Sequence, residues 1–120
     1  MKIVALINSN NEYTNTLKEY IESLGYFAIG NFFTKEKLIG CEKMKKSSIA
    51  IIDHTIQKHG DGIEFAKITK EINRKIAIIY TVKYIEQLEE SSLLEIKPQR
   101  VLLKPIDRNE LKIALKMILT

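Results

Sequence analysis

A chain of 120 residues with 45% apolar and 28% charged side chains fits one domain, residues 1–120, able to bury a core without staples. Its one cysteine, Cys41, excludes an internal disulfide, and the two histidines and that cysteine form no zinc-type cluster. The net charge of +4 comes from lysines scattered over helix faces, with one modest cluster at Lys35, Lys37, Lys43, Lys45 and Lys46. No DNA-reading motif or aromatic–basic alternation accompanies them, so a solvated helix face is expected and nucleic acid is not an expected partner.

In chain order, Ile3 to Ile7 is a continuous apolar run, the pattern of a parallel strand covered on both faces. No signal-peptide core precedes it and no run has the length of a membrane span, which makes a reducing cytoplasm the simplest setting and a membrane partner unexpected. Asn8-Ser9-Asn10-Asn11 is a polar turn rich in helix N-cap formers. Leu17, Tyr20, Ile21 and Leu24 follow at helical spacing, and Gly25 ends the pattern. Tyr26 to Ile29 reads as a second strand. Thr34 is placed to cap a second helix carrying Leu38, Ile39, Cys41 and Met44, which makes Cys41 a buried or half-buried structural thiol.

The third strand, Ser48 to Ile52, ends abruptly at Asp53, and a polar loop runs from His54 to Gly62. A third helix turns Ile63, Phe65, Ala66 and Ile72 inward and stops near Asn73. The fourth strand is Lys75 to Tyr80, closed by Thr81. An acid-rich helix is expected over Tyr84–Leu94, with Glu86, Glu89, Glu90 and Glu95 in water. The fifth strand, Arg100 to Leu103, is closed by Lys104-Pro105. Asp107 and Glu110 have capping-box spacing for a last helix with Leu111, Ala114, Met117 and Ile118 on one face. Five strands alternating with five helices predict an α/β fold, one parallel sheet with helices on both sides.

An acid, a hydroxyl and an amine therefore stand at the carboxyl ends of three apolar strands, the edge where open α/β sheets bind ligands. Asp53, Thr81 and Lys104-Pro105 together, with Gly62 in the loop and Leu24-Gly25-Tyr26 after the first helix, resemble the receiver domain of two-component response regulators. The resemblance covers essentially the whole chain. It implies a three-layer, flavodoxin-like α/β/α fold with strand order 2-1-3-4-5. It implies Asp53 as phosphoacceptor, Thr81 and Lys104 as ligands of the phosphoryl oxygens, and a proline whose peptide bond is commonly cis. It implies a signalling domain rather than an enzyme. Partners would be a histidine kinase or phosphotransfer protein, and a downstream protein or a second copy at the face of the fourth helix, fifth strand and last helix.

The chain also departs from that family. Receivers carry two acidic residues after the first strand to hold magnesium, and the matching positions are Asn8 and Ser9. The metal position would then comprise Asp53, Asn8, Ser9 and Thr55, with the formal charge of the pocket reduced from about −3 to about −1. Magnesium binding is expected to be weak or absent, and self-phosphorylation slow. Glu12 and Asp61 are the nearby acids that would have to substitute. Val82 replaces the small residue that usually follows the threonine, and Val101 replaces an aromatic residue whose rotation reports phosphorylation. The loop is one residue longer than usual and contains Lys58, which would either neutralise Asp53 beside Lys104 or remain solvated. His54 and His59 are expected to be exposed loop residues.

Two functional readings follow. One is a receiver phosphorylated on Asp53; the other is a pseudo-receiver that keeps the fold as a protein-interaction module. A small-molecule enzyme of the same architecture lacks a glycine-rich phosphate loop and a second acid–base pair. The last helix runs to Thr120, an ending that suits a stand-alone receiver and the front end of a longer regulator equally.

Overall fold

The apolar runs at the centre of the sheet become strands with no exposed face. In the computed structural model, which describes residues 2–9 and 12–120, β1 (Ile3–Ile7), β3 (Ile49–Asp53) and β4 (Ala77–Val82) occupy the centre of the sheet. Every residue of β3 and β4 is buried. β2 (Phe27–Ile29) and β5 (Arg100–Leu103) form the two edges, and all neighbouring strands are parallel in the order β2-β1-β3-β4-β5.

Side-chain alternation along the strands divides the interior in two. Val4, Leu6, Ile49, Ile51 and Ile79 face α1 (Glu12–Ser23) and α5 (Arg108–Leu119), meeting Leu17, Ile21, Leu111, Ala114 and Leu115. Ala5, Ile7, Ala50, Ile52, Ile78 and Tyr80 face the other way. They meet Leu38 of α2 (Lys35–Ile39), Phe65 and Ala66 of α3 (Gly62–Ile72), and Ile96 of α4 (Glu90–Ile96). Each fully buried Leu or Ile contributes about 1.5–3 kcal/mol, so the alternation fixes the register of every strand as well as its faces.

Local chemistry sets the boundaries, and several of them differ from the pattern in the sequence. The helix after Thr34 stops at Ile39, with Gly40 as C-cap, and a separate 3-10 turn follows over Glu42–Lys46. Leu38 and Met44 are buried by these two pieces, whereas Ile39 is turned into solvent and Cys41 is half-buried between them. The segment expected as one helix over Tyr84–Leu94 is instead a 3-10 turn, Ile85–Gln87, then α4 displaced toward the C-terminus. The Gln87 side chain accepts from the backbone N–H groups of Lys83 and Tyr84 and closes that turn before α4 begins. The fourth strand continues through Thr81 to Val82.

In α5 the buried face is Leu111, Ala114 and Leu115; Met117, expected inward, is exposed because at about 100° per residue it falls about 110° round from the centre of that stripe. Asp107 caps α5 by accepting from the N–H groups of Asn109 and Glu110. Gly25 adopts φ +95° after α1, as the sequence suggests. The N-cap role of Asn10 and Asn11 lies outside the described residues. Among the described residues, no helix is long and apolar enough to cross a membrane.

Candidate functional site

Strand register assembles the carboxyl edge of the sheet. Asp53 at the end of β3 pairs with Thr81 on β4, and Val82 pairs with Leu103 on β5. The Lys104 N–H donates to the Val82 carbonyl at 2.8 Å, which holds the residue after β5 against the end of β4. From there its ammonium reaches Asp53 Oδ2 at 2.7 Å. The carboxylate side chain is 7% exposed and the lysine 32%, so the amine covers the acid from the solvent side. The other carboxylate oxygen accepts from the Thr55 N–H at 3.4 Å. The Thr81 hydroxyl is buried and donates to the Ile52 carbonyl at 3.5 Å. The three residues named from the sequence thus share one rim, with Lys104 in direct contact with Asp53 and Thr81 beside it on the next strand. The Lys104–Pro105 peptide bond is cis.

Behind Asp53, the residues that follow β1 are engaged in hydrogen bonds of their own. Asn8 is buried; its N–H donates to Asn31 Oδ1 at 3.3 Å, and its side-chain amide donates to the Ile51 carbonyl at 3.5 Å. The Ser9 carbonyl accepts from Asn31 Nδ2 at 2.9 Å and from the Thr14 hydroxyl at 2.7 Å. Asn31 therefore buttons the segment after β2 to the segment after β1. The sequence carried no signal for it beyond a polar residue following Gly30. That glycine has φ +122°, and a Cβ there would meet the Leu6 carbonyl at 2.5 Å.

The long loop after β3 is organised from within. The Asp61 carboxylate accepts from the N–H groups of Ile56, Gln57 and Lys58 at 2.8–3.0 Å, so it is a loop-closing residue and its oxygens are committed away from Asp53. Glu12 is exposed at the start of α1. Lys58 is exposed, lines a cleft with Lys35 and Glu64, and lowers the Glu64 carboxyl together with Lys35, the larger influence. Among the described residues only Lys104 forms an ion pair with Asp53. Lys58 is thus the solvated alternative.

His54 corrects the expectation of an exposed loop histidine. It is 6% exposed, and its Nδ1 shares a 2.7 Å hydrogen bond with the hydroxyl of Tyr80, itself fully buried on β4. Burial lowers the His54 pKa from 6.5, His59 lowers it further, and Asp53 and Asp61 oppose them. Burial raises the Tyr80 hydroxyl far above its ordinary value, with Asp53 and Asp61 adding to it. Neither side chain was singled out by its pattern: Tyr80 reads as a β-former, and His54 as a loop residue because the apolar run ends before it. Gly62 completes the arrangement. A Cβ there would collide with the Asp53 carbonyl and lie 2.8 Å from the Tyr80 hydroxyl, so α3 approaches the end of β3 only with glycine at that position. His59 is exposed, with its ring edge-on to His54 at 5.4 Å between centroids. Val82 is fully buried, and Val101 stands opposite Tyr80 in the β4–β5 register.

No protein-family model matches the chain, and no curated protein matches it. Solved structures do. A CheY-like response regulator receiver domain from Methylobacillus flagellatus superposes with a TM-score of 0.83 at 17% identity, covering 98% of each chain. The signal receiver domain of a modulated diguanylate cyclase from Desulfovibrio desulfuricans G20 gives 0.79 at 22% identity, covering 98% of this chain and 93% of that one. A putative pilus assembly protein from Burkholderia thailandensis E264 gives 0.74 at 14% identity, covering 99% and 98%. At these identities the likeness establishes the fold: a flavodoxin-like, five-stranded receiver fold.

Proposed function

We propose that this chain is a response regulator receiver domain with Asp53 as its acceptor carboxylate and a degenerate metal position. The observation that carries the reading is the Asp53–Lys104 contact at 2.7 Å, at the carboxyl edge of a receiver-type sheet with Thr81 in register beside it. A carboxylate, a cation and a hydroxyl on one rim match what an acyl phosphate needs: a nucleophilic oxygen, and donors for the oxygens of the transferred group. The phosphodonor would be a histidine kinase or a phosphotransfer protein. Nothing in this role makes the domain an enzyme for a separate substrate.

The donor set does not fit magnesium. Magnesium is held by carboxylates, phosphate oxygens and waters in near-octahedral geometry. Here Asp53 supplies one carboxylate already in contact with an ammonium, the Asn8 amide is turned to the Ile51 carbonyl, and the Ser9 carbonyl accepts two other bonds. Thr55 offers no charge. Lys104 takes over the neutralising role, and phosphoryl transfer proceeds without the electrostatic assistance of the metal, hence slowly.

These observations favour a second reading, a phosphorylation-independent pseudo-receiver. Its working surface would be the face of α4, β5 and α5, where Leu94, Leu103, Ile113 and Met117 are all more than half exposed. Lys97, Arg100, Lys112 and Lys116 belong to the same elements, with Arg100 reaching Met117 Sδ at 3.2 Å, whereas Arg108 lies over the Tyr20 ring of α1. Together with Glu90 and Glu95 of α4 they give mixed charge that sets orientation more than affinity.

One experiment separates the two. The protein is incubated with a small acyl-phosphate donor, with and without magnesium, and intact mass is measured against Asp53→Asn. The receiver reading expects a slow adduct that is absent in Asp53→Asn and nearly indifferent to magnesium. No adduct on a folded protein leaves the pseudo-receiver; an adduct retained in Asp53→Asn refutes the assignment of Asp53.

A further inference from the structure

The lysine cluster that the sequence leaves as a solvated face acquires a partner element in three dimensions. Lys37 of α2 and Lys43 of the 3-10 turn stand with Lys18 of α1 around a groove of about 910 Å³ at the β2 edge, floored by Phe27 and Phe32. The three lysines come from separate elements, and none takes part in an ion pair among the described residues. Glu42, the acid of the groove, is paired with Lys45. Two of the ammonium groups lie over aromatic rings, Lys37 over Phe33 at 4.0 Å and Lys43 over Phe27 at 5.0 Å, which orients them without neutralising them. Phe27 is 37% exposed and Ile39 on α2 is 62% exposed.

We propose that this groove is a docking site for an acidic peptide segment of a partner protein, its carboxylates meeting Lys18, Lys37 and Lys43 and an apolar side chain resting on Phe27. Charge complementarity selects the occupant: an exposed phenylalanine, Phe27, among cations that form no ion pair among the described residues suits a chain carrying both carboxylates and a hydrophobic residue. Nucleic acid is disfavoured because the groove holds no arginine for bidentate phosphate contacts. The site lies at the sheet edge opposite β5, and it owes nothing to Asp53, so its fate is independent of the phosphoacceptor reading.

The test titrates the full chain, isotopically labelled, with a fluorescent peptide of alternating Glu and Leu, with its Gln counterpart, with a thymidine oligonucleotide and with vesicles rich in phosphatidylserine. Amide shifts and anisotropy are read together. The expected result is peptide-induced shift changes confined to β2, α2, the 3-10 turn and the part of α1 around Lys18, absent with the Gln peptide. Lys18→Gln, Lys37→Gln and Lys43→Gln combined should weaken binding about tenfold or more, with a further fall in salt. Lys75→Gln at the other end of the sheet leaves it unchanged. Unaltered melting of the triple variant verifies its fold, and single Lys43→Gln, expected to weaken binding about two- to threefold, replaces it if melting changes. Shifts elsewhere, binding indifferent to the lysines, or tighter binding of oligonucleotide or vesicles through the same lysines would each overturn the proposal.

Discussion

Replacing Tyr80 by Phe removes one oxygen from the interior and probes how the sheet grips the loop after Asp53. The ring of Tyr80 is fully buried, so phenylalanine keeps its packing. What is lost is the 2.7 Å bond to His54 Nδ1, which leaves a nearly enclosed imidazole nitrogen without a partner. An orphaned buried polar group costs about 1–3 kcal/mol. With an unfolding entropy of about 2.1 cal/mol/K per residue, each kcal/mol lowers Tm by about 4 °C in a domain of this length, so the variant should melt about 4–12 °C below the parent.

The pH dependence tests the burial of His54 separately. Because the folded His54 pKa is depressed below 6.5, the unfolded chain binds the extra proton first. The stability His54 contributes is complete above pH 6.5 and declines as pH falls through the depressed value. Burial is the larger cause of the depression and survives in Tyr80→Phe, so that variant should keep the slope with a constant offset. His54→Asn should flatten it. Thermal melts at about pH 5.5 and about pH 7.5 decide the matter. A Tyr80→Phe midpoint within about 2 °C of the parent, or an acid slope unchanged in His54→Asn, would refute the reasoning.

The Asp53–Lys104 pair is asymmetric, and the two truncations should differ. Lys104→Met strands a carboxylate that is 7% exposed and should cost about 3 kcal/mol, the lower end for a broken buried pair; Asp53→Asn frees a lysine to swing into water and should cost less than about 1 kcal/mol. Equal losses in urea denaturation would contradict the geometry. Gly62→Ala forces a methyl against the Asp53 carbonyl and the Tyr80 hydroxyl and should lower stability by about 3 kcal/mol or more, since a backbone atom cannot yield. Asp61→Ala removes the acceptor of three loop N–H groups. Hydrogen exchange at Ile56, Gln57 and Lys58 should accelerate at least about tenfold while the β3 amides remain protected.

Periodicity made the sheet legible. Runs such as Ile49 to Ile52 are apolar without interruption because both faces are covered, and that pattern survives any change of surroundings. The rim residues were legible for a related reason: Asp53, Thr81 and Lys104 interrupt or close apolar runs, and a polar side chain at the carboxyl end of a parallel strand lies at that rim of the sheet. Helix boundaries were less so. The break at Gly40 and the shift of α4 toward Ile96 depend on which apolar side chains reach the core, Leu38 and Met44 but not Ile39, and a one-dimensional pattern does not order them.

By itself the sequence determined the strands, the alternation that divides the core, and the identity of the groups at the carboxyl edge. Only the tertiary structure decided which of those groups touch. It put the amine of Lys104 on Asp53 and left Lys58 in solvent, turned Asp61 onto its own loop, drew Asn31 to Asn8 and Ser9, and buried His54 against Tyr80. The physical reason is that spacing along a chain specifies period and direction, whereas hydrogen-bond partners at 2.7 Å are set by strand register and loop closure, which bring together residues 26 and 51 positions apart.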